Sequence, residues 1–246
     1  MFDQSGSAKP AVVLVHGAWA DASSWIPVIT QLHAAGYTVY APPNPLRGLA
    51  ADAATIATFV KSIPGPVILV GHSYGGSVIS VASASEPNVK ALVYVDAFAP
   101  DEGESCLSIL ASSPPPPEDL FTPIPFATGG DADVYFSPKY YGAVFASDLP
   151  AEISSIMAVT QRPLTASALN EKAPSAEGWK TIPSWYVLGD LDLVIPPAVQ
   201  LMMAQRAKAH ITHVQGSHPS MIQHPEATVD AITAAIHGTV TSASMN

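Results

Sequence analysis

Ser73, Asp192 and His218 lie far apart in the 246-residue chain, yet their types are those that acyl transfer needs. A serine hydroxyl is a weak nucleophile at neutral pH. It requires a base within hydrogen-bond reach, and the base requires an acceptor that fixes its tautomer and steadies the imidazolium it becomes. Ser73 sits in Gly71-His72-Ser73-Tyr74-Gly75, directly after the apolar run 67–70. That run is short, rich in β-branched residues and bounded by Pro66 and Gly71, as expected of a strand buried on both faces. Glycine on either side of the serine permits a strained, closely packed turn that leaves the hydroxyl at the strand tip. Small and apolar residues over 77–85 predict a helix after the turn, its partly positive amino end facing Ser73. A glycine-serine pentapeptide alone is only a turn; strand before and helix after make it a site for a nucleophile.

Among the eight histidines, His218 is preferred because it follows the last predicted strand in a Gly216-Ser217 turn and precedes the final helix. His224 would start that helix, and His210 and His213 lie in or beside the strand. Asp192 is preferred over Asp190 for its Gly-x-x-Asp-x-x-x-Pro setting between Gly189 and Pro196, and Asp96, at the end of the strand 91–95, stands second. Backbone N–H groups of Tyr74, directly after the nucleophile, and Ala18, in the loop His16-Gly17-Ala18-Trp19, are the expected oxyanion hole. His16 reads as a brace for backbone carbonyls.

The elements that must position these residues alternate. Strands are expected at 11–15, 37–41, 67–70, 91–95, 184–188 and 211–214. Helices are expected from Ser23 or Ser24 as N-cap to Gly36, and over 49–63, 77–85, 197–207 and 225–236. The fold class is α/β, a mainly parallel sheet of about six strands flanked by helices. Between Asp101 and Lys180 the rhythm breaks. Four prolines at 114–117 and others at 123, 125 and 138 exclude a long helix over 114–125, while Phe121, Phe126, Tyr135, Phe136, Tyr140, Tyr141 and Phe145 cluster. Short helices are expected at 138–145, 151–160 and 165–171. Residues 1–100 and 181–246 are therefore assigned to a core, and 101–180 to a cap inserted after the strand ending near Asp96 that shapes an apolar pocket.

Composition narrows the partners. With 20 acidic and 10 basic residues the net charge is −10, which disfavours nucleic acid and anionic membranes. The hydrophobic fraction of 48% supports a well-buried core, and no apolar run nears the roughly 20 residues that cross a bilayer, so a soluble protein is expected. Residues 1–10 lack the basic start and apolar core of a secretion signal, and Cys106 is the sole cysteine; both are compatible with a cytoplasmic location. Neither a Cys/His zinc pattern nor a Gly-x-Gly-x-x-Gly loop occurs, so no cofactor and no metal are expected. A homodimer is compatible with the sequence.

Taken together, His16-Gly17-Ala18-Trp19, Gly71 to Gly76, Gly189 to Pro196 and Gly216-Ser217-His218 resemble the α/β-hydrolase superfamily over nearly the whole chain outside the cap. The start at the His-Gly-Ala strand and the phrase Asp96 to Asp101 are similar to the branch holding hydroxynitrile lyases and plant methyl esterases, with bacterial esterase-like relatives. That branch lacks the first two strands of the full eight-stranded sheet, in keeping with six strands here. The resemblance implies threonine at position 17 and lysine at 219 for a lyase; Gly17 and Pro219 stand there instead, favouring ester hydrolysis. It also implies an acidic residue before the histidine, where this chain has Ser217.

The expected activity is a serine hydrolase acting on small to medium carboxylic esters, with Ser73 the nucleophile, His218 the base and acid, Asp192 the orienting acid, and an imidazole titration near pH 6–7 in kcat/KM. The alternatives are a lyase, perhydrolase or amidase on the same fold, and a non-catalytic receptor for a small ligand.

Overall fold

The computed structural model describes residues 9–243. The reading of the amino terminus as lacking a secretion signal falls mostly on residues 1–8, outside the described residues.

The chain runs β1 (Ala11–Val15), a 3-10 turn (Ala22–Trp25), α1 (Ile26–Ala34), β2 (Val39–Tyr40), α2 (Leu49–Lys61), β3 (Val67–His72), α3 (Tyr74–Ala82) and β4 (Val89–Val95). An inserted segment follows before the main sheet resumes. The segment holds α4 (Cys106–Leu110), β5 (Phe121–Pro125), β6 (Ala132–Phe136), α5 (Pro138–Tyr140), a π turn (Tyr141–Phe145), α6 (Ala151–Thr160), β7 (Leu164–Thr165) and α7 (Ala166–Asn170). The chain then closes with β8 (Ser184–Gly189), α8 (Pro197–Arg206), β9 (His210–Val214), α9 (Ser220–Gln223) and α10 (Pro225–Ala243).

Six strands form one sheet in the order β2-β1-β3-β4-β8-β9, every neighbouring pair parallel. Parallel strands need crossovers, and the helices that supply them cover both faces. Strand alternation shows this in β1: Val13 and Val15 join the cluster under α2, α3 and the inserted segment, while Val12 and Leu14 join Trp25, Val28, Leu32, Ile232 and Ile236 of the opposite helical layer. All five β1 residues are buried. Among the described residues no helix is long and apolar enough to cross a membrane.

Because β1 lies between β2 and β3, the chain leaves β1 to one side and returns on the other. The loop after β1 and the turn after β3 thus flank a topological switch point at the carboxyl edge, where open α/β sheets bind ligands.

Several local expectations need correction. Asp21, not Ser23 or Ser24, caps the first helical turn, its carboxylate accepting from the Ser23 N–H at 2.7 Å. The strand expected over 37–41 pairs only at Val39–Tyr40, an edge position next to a proline-rich loop. The strand before Ser73 continues to His72, and α3 begins at Tyr74 rather than Ser77, because the turn consumes a single residue. The inserted segment contains a three-stranded antiparallel sheet, β5-β6-β7, that was not expected. Pro123 and Pro125 hid it: they sit on the edge strand β5, where a missing N–H is tolerated.

Candidate active site

Ser73 occupies the one-residue turn between β3 and α3 with φ 53° and ψ −125°, a conformation that non-glycine residues rarely hold. The turn is fixed by its carbonyl, which accepts from Gly76 N–H at 2.9 Å and Phe98 N–H at 3.1 Å. Glycine at 75 is demanded by space: a Cβ there would collide with the Val15 carbonyl oxygen. Gly17 has the same role across the gap, where a Cβ would stand 2.6 Å from Ser73 Cβ and 2.8 Å from the His72 carbonyl oxygen. The loop after β1 therefore lies directly against the serine.

The fold brings together the three residues singled out first. His218 Nε2 is 2.9 Å from Ser73 Oγ, and His218 Nδ1 is 2.8 Å from Asp192 Oδ2. Asp192 Oδ1 accepts from the Val194 and Ile195 N–H groups at 2.7 and 2.9 Å, and Oδ2 also accepts from Gln200 Nε2 at 2.7 Å. Burial pushes the Asp192 carboxyl up to about 8, against the downward pull of these donors. Four donors converge on its two oxygens, a number suited to the ionised, acceptor-only form. His218 Nδ1 then carries its proton toward Asp192, leaving Nε2 free to accept from Ser73. Burial holds the His218 imidazole down to about 3, so it rests neutral at neutral pH.

The alternatives to Asp192 serve other contacts. Asp190 accepts from His213 Nδ1 at 2.8 Å and Gln215 Nε2 at 2.7 Å on the outer side of the sheet edge. Asp96 is buried with φ 45° and ties two segments together, accepting from Gly189 N–H at 2.7 Å and Ser220 N–H at 3.1 Å. Burial and the nearby Asp192 charge push its carboxyl well above the ordinary range. His16 bridges its own loop to the next, with Nδ1 2.8 Å from the Gly17 carbonyl and Nε2 accepting from Asn44 N–H at 3.0 Å; burial lowers it to about 4. Among the described residues, neither the Ala18 nor the Tyr74 N–H donates to a protein oxygen.

Three contributors were not read from the sequence. Gln200, eight residues past Asp192 on α8, has no motif to mark it. His72 occupies a variable position of the pentapeptide, yet its Nε2 meets the His218 carbonyl at 3.0 Å and its ring lies 4.8 Å from the His218 ring. Asp148, from the inserted segment, accepts from the Ser217 N–H at 2.9 Å and from the Ser217 hydroxyl.

Aromatic side chains of the inserted segment pack against this group. Phe145 packs edge-on to the His218 ring at 4.9 Å, and Phe136, Tyr141 and Trp19 continue the aromatic layer. Trp19, with φ 57°, is locked by its N–H to the Arg162 carbonyl, its indole N–H to the Val134 carbonyl and its own carbonyl accepting from Tyr141 OH. Ser73 is 2% exposed and His218 fully buried. An outer cleft of about 250 Å³ between α6, the Ala20–Pro27 stretch and Ile222 is not lined by Ser73 or His218.

The sequence over residues 12–231 matches that of the alpha/beta hydrolase family. The chain belongs to that family. Within the alpha/beta hydrolases it is similar to the carbendazim hydrolyzing esterase of Nocardioides sp. (strain SG-4G), 38% identical over 117 residues, which cover 42% of this chain and 48% of that one. It is also similar to alpha/beta hydrolase nvfD of Aspergillus novofumigatus, 28% identical over 246 residues, covering 91% of this chain and 95% of the other. Among solved alpha/beta hydrolase structures, polyneuridine aldehyde esterase superposes with a TM-score of 0.79 at 18% identity, over 92% of this chain and 99% of that one. The expected fold and superfamily are thus both found, and sequence relatives that carry esterase and hydrolase names support ester hydrolysis in general.

Proposed function

We propose that this chain hydrolyses small to medium uncharged carboxylic esters through an acyl-enzyme. The observation that carries the reading is the unbroken path from Ser73 Oγ to His218 and on to Asp192, at 2.9 and 2.8 Å, with the imidazole neutral and its Nε2 turned to the serine. In the first half-reaction Ser73 Oγ bonds to the ester carbonyl carbon as its proton passes to His218 Nε2. The C–O bond to the alcohol then breaks, and Nε2 returns the proton to the leaving alkoxide. Water repeats the sequence against the acyl-serine, releasing the carboxylic acid. Asp192 keeps the Nδ1 proton in place and balances the imidazolium.

The negative charge that develops on the carbonyl oxygen falls to the Ala18 and Tyr74 N–H groups, which have no other protein acceptor. Each such donor contributes about 3–4 kcal/mol in the transition state. The segment 101–180 acts as a cap, and with Ser73 2% exposed it moves for substrate to enter. Its aromatic inner layer favours apolar acyl or alcohol groups, and the net charge of −10 disfavours anionic ones. The carbendazim-hydrolysing relative makes carbendazim a substrate to test beside simple esters. Hydrolysis is favoured over lyase chemistry by Gly17, since a threonine there would force the loop away from Ser73. The lone, buried Cys106 fits a reducing, cytoplasmic setting.

Intact-mass labelling with a fluorophosphonate, run on wild type, Ser73→Ala and His218→Ala alongside turnover of p-nitrophenyl acetate and carbendazim, tests this reading. One label per wild-type chain, with label and turnover lost in both variants, is the expected result. A wild-type chain that neither labels nor turns over would return the capped site to the role of a small-ligand receptor.

A further inference from the structure

The loop 216–220 that carries His218 is held from several directions. The Gly216 carbonyl accepts from Leu191 N–H at 3.1 Å, the His218 carbonyl meets His72 Nε2 at 3.0 Å, and Ser220 N–H donates to Asp96. All of these anchors belong to the sheet core. Ser217 is the exception. It is fully buried, and both its N–H and its hydroxyl donate to one carboxylate, Asp148, which follows the π turn of the inserted segment. Asp148 Oδ2 also lies 3.9 Å from His224 Nε2, just past α9.

Hydrogen bonds to a carboxylate are stronger than neutral ones, and two at once fix an orientation. Three residues before Asp148, Phe145 rests against the His218 ring. The inserted segment thus touches the histidine loop at two points, one apolar and one ionic. It cannot lift away without leaving the Ser217 N–H and hydroxyl to find other partners.

We propose that Asp148 is a positioning residue, and that its clasp on Ser217 is a latch through which closure of the inserted segment sets the His218 loop in its working position. Closing over a substrate and aligning the base are then one event: an open segment removes the one hydrogen-bonded anchor that the core does not supply. The consequence for His218 rests on its reading as the base, whereas the latch itself does not.

The test combines amide hydrogen exchange with steady-state kinetics on p-nitrophenyl acetate for Asp148→Ala, Asp148→Asn, Ser217→Ala and the Asp148→Ala/Ser217→Ala pair. In Asp148→Ala, loss of both bonds speeds exchange over 215–219 and 141–149 about tenfold, with β3 unchanged. On the same scale kcat falls about tenfold while KM moves less than twofold, since Asp148 touches the loop rather than the substrate. Asp148→Asn, which offers an oxygen to the N–H and an NH2 to the hydroxyl oxygen, restores most of both. Ser217→Ala, which keeps the N–H bond, falls between, and the double variant is no worse than Asp148→Ala. Unchanged exchange over 215–219 in Asp148→Ala overturns the latch, as does acceleration that extends equally into β3 or a strictly additive double variant. If wild type turns over no ester, the proposed chemistry fails, and the exchange pattern still decides the latch.

Discussion

Replacing Asp192 by Asn separates the three acidic residues that the sequence offered as orienting acid. In the native site Asp192 Oδ1 accepts two backbone N–H groups and Oδ2 accepts His218 Nδ1–H and Gln200 Nε2–H. An asparagine has one oxygen. The backbone donors of Val194 and Ile195 cannot rotate, so the oxygen goes to them and the NH2 faces His218 and Gln200. Gln200 can turn its unpartnered Oε1 toward that NH2, but only by giving up the bond from its Nε2 to the Ile195 carbonyl at 2.8 Å. His218 adapts by shifting its proton to Nε2, and the ring then donates to Ser73 Oγ instead of accepting from it. Packing is preserved, yet the base is in the wrong tautomer. On the scale of such tautomer traps kcat should fall by about four powers of ten, or about 5.5 kcal/mol. The paired variants set the contrast. Asp190→Asn disturbs only partly exposed contacts to His213 and Gln215 and should leave kcat within about twofold. Asp96→Asn alters a carboxyl that contacts Gly189 and Ser220 but not His218, so its effect should appear in thermal stability more than in kcat. The assay is p-nitrophenyl acetate turnover with melting temperature on the same samples. An Asp192→Asn enzyme within tenfold of wild type, or an Asp96→Asn loss of kcat as large, would refute the assignment.

Burial lowers His218, so Nε2 stays unprotonated to a lower pH than a free imidazole, and the acid limb of kcat/KM should lie well below pH 6.5; a half-maximal point at or above 6.5 contradicts the enclosed base. Gly17→Ala sets a Cβ 2.6 Å from Ser73 Cβ, so the loop or the serine must move and kcat should drop at least tenfold, read by single-turnover acylation. Phe145→Ala removes a fully buried ring beside His218 and should lower stability by about 3–5 kcal/mol in urea unfolding, while raising kcat/KM for p-nitrophenyl octanoate relative to acetate as space opens.

The alternation of short apolar runs with amphipathic segments set the α/β class and the inner strands β1, β3, β4 and β8, because a strand buried on both faces has a distinct local composition; the edge strands β2 and β9 are largely exposed. Ser73 was legible for a related reason: the backbone conformation it needs, and the close approach of the β1 loop, demand glycines at fixed spacing. His218 and Asp192 were legible as residues that follow strands. Which carboxylate meets the imidazole was not legible by itself, since Asp96, Asp190 and Asp192 all lie at one sheet edge, and only the path of each loop decides where the carboxylate points. The hairpin at Phe121–Pro125 and Ala132–Phe136 escaped notice because edge pairing tolerates proline, which a local reading takes as a breaker. Gln200, His72 and Asp148 belong to the tertiary structure alone. Their contacts join residues 8, 146 and 69 positions apart through hydrogen bonds whose partners are chosen by packing, and no local pattern encodes a partner that far away. The sequence determined the chemistry that the chain can offer, through the backbone that its glycines and β-branched residues permit. Enclosure, the depressed imidazole and the tie between the inserted segment and the histidine loop were decided by the folded structure, because burial and long-range hydrogen bonds exist only once the distant segments meet.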